Sequence, residues 1–296
     1  MPKGCVLTIG NFDGLHLGHR AVIEKVAKHG REMGLPTVAL IFEPQPLEYF
    51  QGKNAPSRLT RLREKVIQFL KLPVDHVMIL RFNREFADME AETFIKSVLL
   101  DKLNVKYLVI GDDFHFGKAR RGNFAMLKEQ GREFGFQVED TPSYQLDGHR
   151  ISSTLIRDAL GEGDLEAAAK MLGRPYSVCG RVAYGDKIGR TIGFPTANIH
   201  LSRKNTPIEG VFAVSMTGID GRAIPGIANV GTRPTLGGSK VILETHLFDF
   251  DRDIYGHYVE VHFNKKIRNE MRFPSLAALK AQIADDVAEA KKILMT

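Results

Sequence analysis

Two histidines, His16 and His19, stand three positions apart in the segment Gly10-Asn11-Phe12-Asp13-Gly14-Leu15-His16-Leu17-Gly18-His19, between a short apolar run and a helical stretch. Residues at that spacing share one face of a helix. A helix start also presents free N–H groups and the positive end of its dipole, so phosphate oxygens are the natural ligands there. Gly14 and Gly18 remove side chains where phosphates need close backbone approach. One histidine near a helix start is ordinarily a cap or a surface residue; the pair inside Gly14-Leu15-His16-Leu17-Gly18-His19 is the feature that points to phosphate chemistry.

Other constellations have both a plain and a chemical reading. In Ile151-Ser152-Ser153-Thr154-Leu155-Ile156-Arg157, a serine hydroxyl caps a helix, and hydroxyls followed one turn on by Arg157 also make an anion clamp with a bidentate donor. Both readings can hold together. Gly111-Asp112-Asp113-Phe114-His115-Phe116-Gly117 is either an acidic turn with aromatic residues folding back on the core or a ligand loop at a strand's carboxyl end. Phe42-Glu43-Pro44-Gln45-Pro46 is a plain loop or a rigid proline-framed aromatic surface for a flat ring system.

Further along, the glycine-rich stretch 185–193 carries Lys187, Gly189, Arg190 and Gly193. It lacks the Walker A pattern, so it is a hairpin or a different kind of phosphate cradle. Thr196 and Asn198 lie two apart on an extended segment and face the same way. Neutral oxygen ligands of that kind suit Mg²⁺, which keeps several waters and relies on substrate phosphates. Alternation in Val241–Phe248 puts Glu244 and His246 opposite Leu243 and Leu247. Glu244 is then a solvent-face carboxylate or a general base for a hydroxyl that receives a phosphoryl group.

The elements that must position these groups fall into two patterns. Through residue 172, the strands Val6–Ile9, Thr37–Ile41, His76–Leu80, Tyr107–Ile110 and Phe136–Glu139 alternate with helices. The helices are expected over Leu17–Met33, Leu59–Leu72, Ala91–Leu100, Phe124–Phe134, Ser153–Leu160 and Leu165–Leu172. Such alternation predicts a parallel α/β sheet with ligands at the carboxyl ends of its strands. After Gly173-Arg174-Pro175 the period changes to two, in Tyr176–Ala183, Val211–Met216, Ile224–Asn229, Val241–Phe248 and Tyr258–Phe263. This predicts an antiparallel β-barrel or sandwich, closed by a helix from Leu276 to Ile293 capped by Ser275. The expected domains are residues 1–173 and 174–296.

With 43% hydrophobic and 26% charged residues in 296, the chain is globular and long enough for two cores. No run approaches ~18 apolar residues, so no transmembrane helix is expected. The N-terminus lacks the apolar stretch of a signal peptide, and the cytoplasm is the expected compartment. Only Cys5 and Cys179 occur, which fits buried small hydrophobes rather than a disulfide framework. The net charge is +6, with 24 basic against 23 acidic residues in 1–173 and 17 against 12 in 174–296. That excess is scattered and lacks paired basic and aromatic platforms, so neither nucleic acid nor membrane is the expected partner. Self-association is left open.

The segment Gly10–His19 resembles the signature of the nucleotidyltransferase superfamily, whose Rossmann-like domain transfers a nucleotide from a nucleoside triphosphate without a covalent intermediate. With the Phe-x-Pro-x-Pro loop, Gly111–Gly117 and Ile151–Arg157 in that order, the first half resembles the FMN adenylyltransferase module of bacterial FAD synthetases. The resemblance implies phosphate or ATP contacts by Gly10, Phe12, Asp13, Gly14, Gly18, Gly111, Asp113, Phe114, Ser153 and Thr154, with catalysis by His16, His19 and Arg157. Phe42, Pro44 and Pro46 would lie towards the flavin. The glycine-rich stretch with Pro195-Thr196-Ala197-Asn198, then Gly226–Thr235, Glu244 and Ile267–Glu270, is similar to the riboflavin kinase module, a compact β-barrel. There the resemblance implies Glu244 as base, Thr196 and Asn198 as Mg²⁺ ligands, Lys187, Gly189 and Gly193 on ATP, and Arg233 and Arg268 on the flavin. The whole chain thus resembles the bacterial bifunctional riboflavin kinase/FMN adenylyltransferase family, implying riboflavin, FMN, FAD and ATP as its small-molecule partners. Two departures stand out: the chain begins almost at its first strand, where many relatives carry a leading segment, and Asn123 replaces a common aspartate.

Overall fold

The structure, a computed structural model, describes residues 1–111, 113–142, 144–146, 148–184, 189, 193–201, 205–235 and 238–295. The chain divides into two compact units, Met1–Pro56 with Thr60–Ser152, and Ser57–Leu59 with Ser153 onward. The sequence reading places the division at 173/174, some twenty residues later.

The first unit is built on β1 (Cys5–Ile9), β2 (Thr37–Glu43), β3 (His76–Arg81), β4 (Val105–Gly111) and β5 (Gln137–Thr141). Their order is β3-β2-β1-β4-β5, every pair parallel. All five residues of β1 are buried, as a strand covered on both faces requires. The chain leaves β1 for β2 on one side and returns to β4 on the other, so the order reverses between β1 and β4. In open α/β sheets the crevice at that reversal is where ligands bind.

Helix α1 (Leu17–Met33) follows β1 and ends where Gly34 takes a left-handed conformation, φ 62°. Helix α2 (Pro46–Gln51) follows β2 in a stretch that reads as a loop in the sequence, and α3 (Leu62–Phe69) is shorter at both ends than expected. Helix α4 (Arg84–Ala87) precedes α5 (Ala91–Phe94), which continues as a π-helix over Ile95–Lys102. Helix α6 (Phe124–Phe134) starts at Asn123, whose Oδ1 accepts from the Met126 N–H at 3.0 Å. That residue serves here as an N-cap. A two-stranded ribbon, β6 (Gln145–Leu146) and β7 (His149–Arg150), completes the unit.

In the second unit, α7 (Ser153–Glu162) and α8 (Leu165–Leu172) precede the strands. Gly163 between them, at φ +86°, lies where a Cβ would collide with the Lys266 side chain, so the turn seats directly on the sheet. Strands β8 (Ser177–Ala183), β9 (Ala197–His200), β10 (Gly210–Thr217), β11 (Ile224–Thr235), β12 (Gly238–Leu247) and β13 (Tyr258–Arg268) close into an antiparallel barrel. Phe212, Val214, Val230, Leu243 and Phe263 are buried inside it. The alternate residues Val211, Ala213 and Ile227 point outward and pack with Ala290 of α9 (Leu276–Leu294). Ser275 caps α9, its side chain accepting from the Ala278 N–H at 3.1 Å, as the sequence predicts. The sequence-predicted strands are all present; Val211–Met216, Ile224–Asn229 and Tyr258–Phe263 extend further than predicted, Tyr176–Ala183 begins one residue later, Val241–Phe248 starts earlier and ends one residue sooner, and β9 is additional.

Candidate active sites

The turn after β1 is held by burial and by one carboxylate. Phe12 and Leu15 sit in the left-handed region, both at φ 46°, a conformation costly for bulky residues. They tolerate it because both side chains are buried against Ile23, Ile41 and Phe69. Asp13 Oδ1 accepts from the Thr60 N–H at 3.0 Å, and the Thr60 hydroxyl accepts from the Gly14 N–H at 2.9 Å. Lys65, fully buried, donates to the Asn11 carbonyl. Thr60 and Lys65 were not among the sequence candidates, because their relation to the turn is tertiary.

This turn delivers His16 as the N-cap of α1, its Nδ1 accepting from the His19 backbone N–H at 3.3 Å. The two imidazoles stack with centroids 3.6 Å apart and planes 17° apart, and Phe12 packs edge-on to His19 at 5.1 Å. Gly18 makes room for the stack: a Cβ there would lie 3.2 Å from the His16 ring. Burial pulls the His16 imidazole down to about 4, with Asp13 opposing. Burial, then the charges of His16 and Lys65, hold His19 well below the ordinary range. Both rings are therefore neutral at pH 7. Since Nδ1 of His16 accepts a hydrogen bond, its proton resides on Nε2, a donor available to a phosphate oxygen.

At the carboxyl end of β4, on the other side of the strand-order reversal, Gly111 leads into Asp113 and Phe114. Asp113 Oδ2 accepts from Arg150 Nη2 at 3.1 Å, and Phe114 stacks on Phe116 at 5.6 Å. Phe116 connects through Phe94 and Phe86 to Phe42 and Phe82, and Phe82 to the exposed Tyr49 and Phe50 of α2. Phe42 is thus a buried member of an aromatic ladder rather than its exposed end. Pro44 follows a cis peptide bond, and Pro46 begins α2.

Ser153 and Thr154 open α7, with Arg157 one turn on, and Arg157 Nε donates to the Ser57 carbonyl at 2.6 Å. These residues belong to the second compact unit, His16 and His19 to the first.

On the barrel, register assembles a second constellation. Asn198 of β9 pairs with Glu244 of β12, Glu244 with Asn229 of β11, Asn229 with Val211 of β10, and Val211 with Arg268 of β13. This one rung lies on the outward face, because Val211 packs on α9. His246, also outward, donates from Nδ1 to the Pro195 carbonyl at 2.8 Å and thereby anchors Thr196. Gly189 accepts from the Phe194 N–H at 2.8 Å, and a Cβ on it would collide with the Phe194 carbonyl. Gly193 adopts φ 90°. Arg268 is engaged by Asp286 of α9, through Nε at 2.9 Å and Nη2 at 2.7 Å. Lys187 lies outside the described residues, as does the Arg233 side chain.

Among the described residues, no group of three or more acidic, histidine or cysteine side chains could hold a metal unaided. The donors present, hydroxyl and amide oxygens beside the carboxylate of Glu244, fit a hard cation that draws its remaining ligands from phosphates and water.

The FAD synthetase family model matches residues 1–155, and the riboflavin kinase family model matches residues 172–294. The chain is 54% identical over 289 residues to the bifunctional riboflavin kinase/FMN adenylyltransferase of Haemophilus influenzae, covering 98% of this chain and 94% of that one. The Escherichia coli K12 protein of the same name is 49% identical over 290 residues, covering 98% and 93%. The Pseudomonas fluorescens one is 45% identical over 292 residues, with the same coverage. A crystal structure described as a macrolide-efflux protein from Streptococcus pneumoniae superposes with a TM-score of 0.83 at 30% identity, covering 98% and 94%. Among the described residues, no helix here is long and apolar enough to cross a membrane. Two family models matched in succession, and relatives aligned along nearly their full length, show that the chain belongs to the bifunctional riboflavin kinase/FMN adenylyltransferase family.

Proposed function

We propose that this chain phosphorylates riboflavin on the outer rung of its barrel and adenylates the resulting FMN at the histidine end of β1, using ATP in both steps. The observation that carries the reading is the pairing of Glu244 directly with Asn198, which puts a base beside an amide ligand. In the kinase step, Glu244 takes the proton of the terminal ribityl hydroxyl as that oxygen attacks the γ-phosphorus of ATP and ADP departs. Thr196 and Asn198 would hold Mg²⁺ together with phosphate oxygens, and when bound the ion would supply charge neutralisation for the transferring group. Lys187, Gly189 and Gly193 contact this ATP, and Arg233 and Arg268 lie towards the flavin.

In the adenylyl step, a phosphate oxygen of FMN attacks the α-phosphorus of a second ATP and pyrophosphate departs. The neutral His16 donates from Nε2–H to a phosphate oxygen, and His19 lies stacked against it. The N-terminus of α1 adds its dipole. Ser153, Thr154 and Arg157 bind phosphate through hydroxyl, backbone and guanidinium donors. Gly111, Asp113 and Phe114 contact the nucleotide, while Phe42, Pro44 and Pro46 frame the flavin side. The functional division lies at 173/174, and the enzyme works in the cytoplasm without nucleic-acid or membrane partners.

Chromatographic separation of flavins formed from riboflavin, ATP and Mg²⁺ tests this directly, with FMN expected before FAD. His16→Asn is expected to abolish FAD formation and spare FMN, and Glu244→Gln to stop FMN formation while supplied FMN is still adenylated. Loss of both activities in either folded variant would overturn the two-site assignment.

A further inference from the structure

The outer rung carries a second polar group beside Glu244, and its chemistry is specific. Asn229 pairs directly with Glu244, and opposed residues of antiparallel strands place their Cβ atoms about 5 Å apart on one face. The amide nitrogen of Asn229 is engaged, donating to Glu270 Oε1 at 3.0 Å. A carboxylate accepts only, so this contact fixes which end of the amide is which. The other end, Oδ1, is buried and has no hydrogen-bond partner. Gly231, two residues on, belongs to the same device: a Cβ there would collide with the Glu270 carboxylate, so the glycine leaves room for the group that orients Asn229.

An orphaned buried acceptor in a native protein calls for a donor. Phosphate oxygens and the carbonyls of a flavin ring are acceptors and cannot answer it. Water, ring N–H groups and the hydroxyls of a polyol can answer it, and of these the hydroxyls are the ones carried on the chain that ends at Glu244. Glu244 has β9 on one side and β11 on the other; with phosphate and Mg²⁺ assigned to Thr196 and Asn198 at the β9 side, a ribityl chain whose terminal hydroxyl meets Glu244 runs towards β11, where Asn229 stands. We infer that Asn229 is a further substrate-contacting residue of the kinase site, its Oδ1 accepting a hydrogen bond from a ribityl hydroxyl of riboflavin, with Glu270 as its positioning residue. This rests on Glu244 as the kinase base.

The test is steady-state FMN formation by the full chain, with calorimetry on each variant to establish that the barrel folds. Asn229→Ala is expected to raise KM for riboflavin about tenfold while KM for ATP and the Mg²⁺ dependence stay unchanged. Asn229→Asp alone sets two carboxylates against each other and is expected to be at least as poor. The double variant Asn229→Asp/Glu270→Gln reverses the donor and acceptor of the latch, keeps an acceptor oxygen on the rung, and is expected to recover most of the lost kcat/KM. An unchanged KM for riboflavin in Asn229→Ala, a shift in Mg²⁺ dependence instead, or a double variant no better than Asn229→Asp would each overturn the inference. Activity retained in Glu244→Gln would instead overturn the site assignment on which it rests.

Discussion

Lowering the pH from 7 to 5 is expected to destabilise the parallel-sheet unit through His16. Its imidazole titrates at about 4 in the folded chain, against 6.5 for an unperturbed histidine, chiefly because it is buried. A depressed folded value means that the unfolded chain takes up the proton first. The contribution of this residue is therefore fully present above pH 6.5 and is lost as the pH falls from 6.5 towards 4. The shift amounts to about 3 kcal/mol in all, of which about 2 kcal/mol is already gone at pH 5. That is a large fraction of a net stability of about 5–15 kcal/mol. The chain has no tryptophan, so fluorescence is a weak probe, and native-state hydrogen exchange of β1 and α1 amides is the better assay. His16→Asn keeps an acceptor for the His19 N–H but removes the titration. Its acid sensitivity between pH 7 and 5 should be smaller by about 2 kcal/mol. Equal losses in the two proteins would refute the assignment of a neutral, buried His16.

Gly18→Ala brings a Cβ to within 3.2 Å of the His16 ring and should lower adenylation of supplied FMN tenfold or more, roughly the cost of a small displacement of a reacting group; FMN formation from riboflavin, measured in parallel, should be unchanged. Asp286→Ala strips the partner from Arg268 in a pair whose carboxylate is 3% exposed. A loss of about 3–5 kcal/mol is expected, seen by calorimetry as a fall of about 10 °C in the Tm of the barrel unit.

Much of the fold is readable wherever local signals mark the ends of elements. Helices α1, α6 and α8 begin and end as the sequence predicts, because Gly34, Gly135 and Gly173 take left-handed conformations just past their last turns. Helix α2 is missed because six residues are too few to display a period, although Pro46 at its start and Glu48 in its first turn are helix-start signals. The π-helical Ile95–Lys102 departs from the period that pattern reading assumes. Strand β9 has one buried residue, Ile199, so its alternation is too short to see. The site follows the same division. His16 and His19 are legible because three residues of sequence fix their relation. The rung of Asn198, Glu244 and Asn229 depends on the register of three strands, which no local pattern specifies. The aromatic ladder around Phe42 is equally hidden from the sequence, because its neighbours Phe82 and Phe86 come from a different segment.

The outward placement of the rung proposed for the kinase separates two demands that most enzyme cores must reconcile. Along β12, Leu243, Thr245 and Leu247 are buried, while Glu244 and His246 between them face outward. On the function proposed above, a mutant library restricted to the outward positions of β9 and β12 would vary flavin and phosphate recognition without repacking the interior, whereas Ile227 on the outward face of β11 packs under α9 and is left unchanged. On that reading, selectivity and thermal tolerance are separable at these positions of β9 and β12, with the two-residue pleat of the strand as the partition between them.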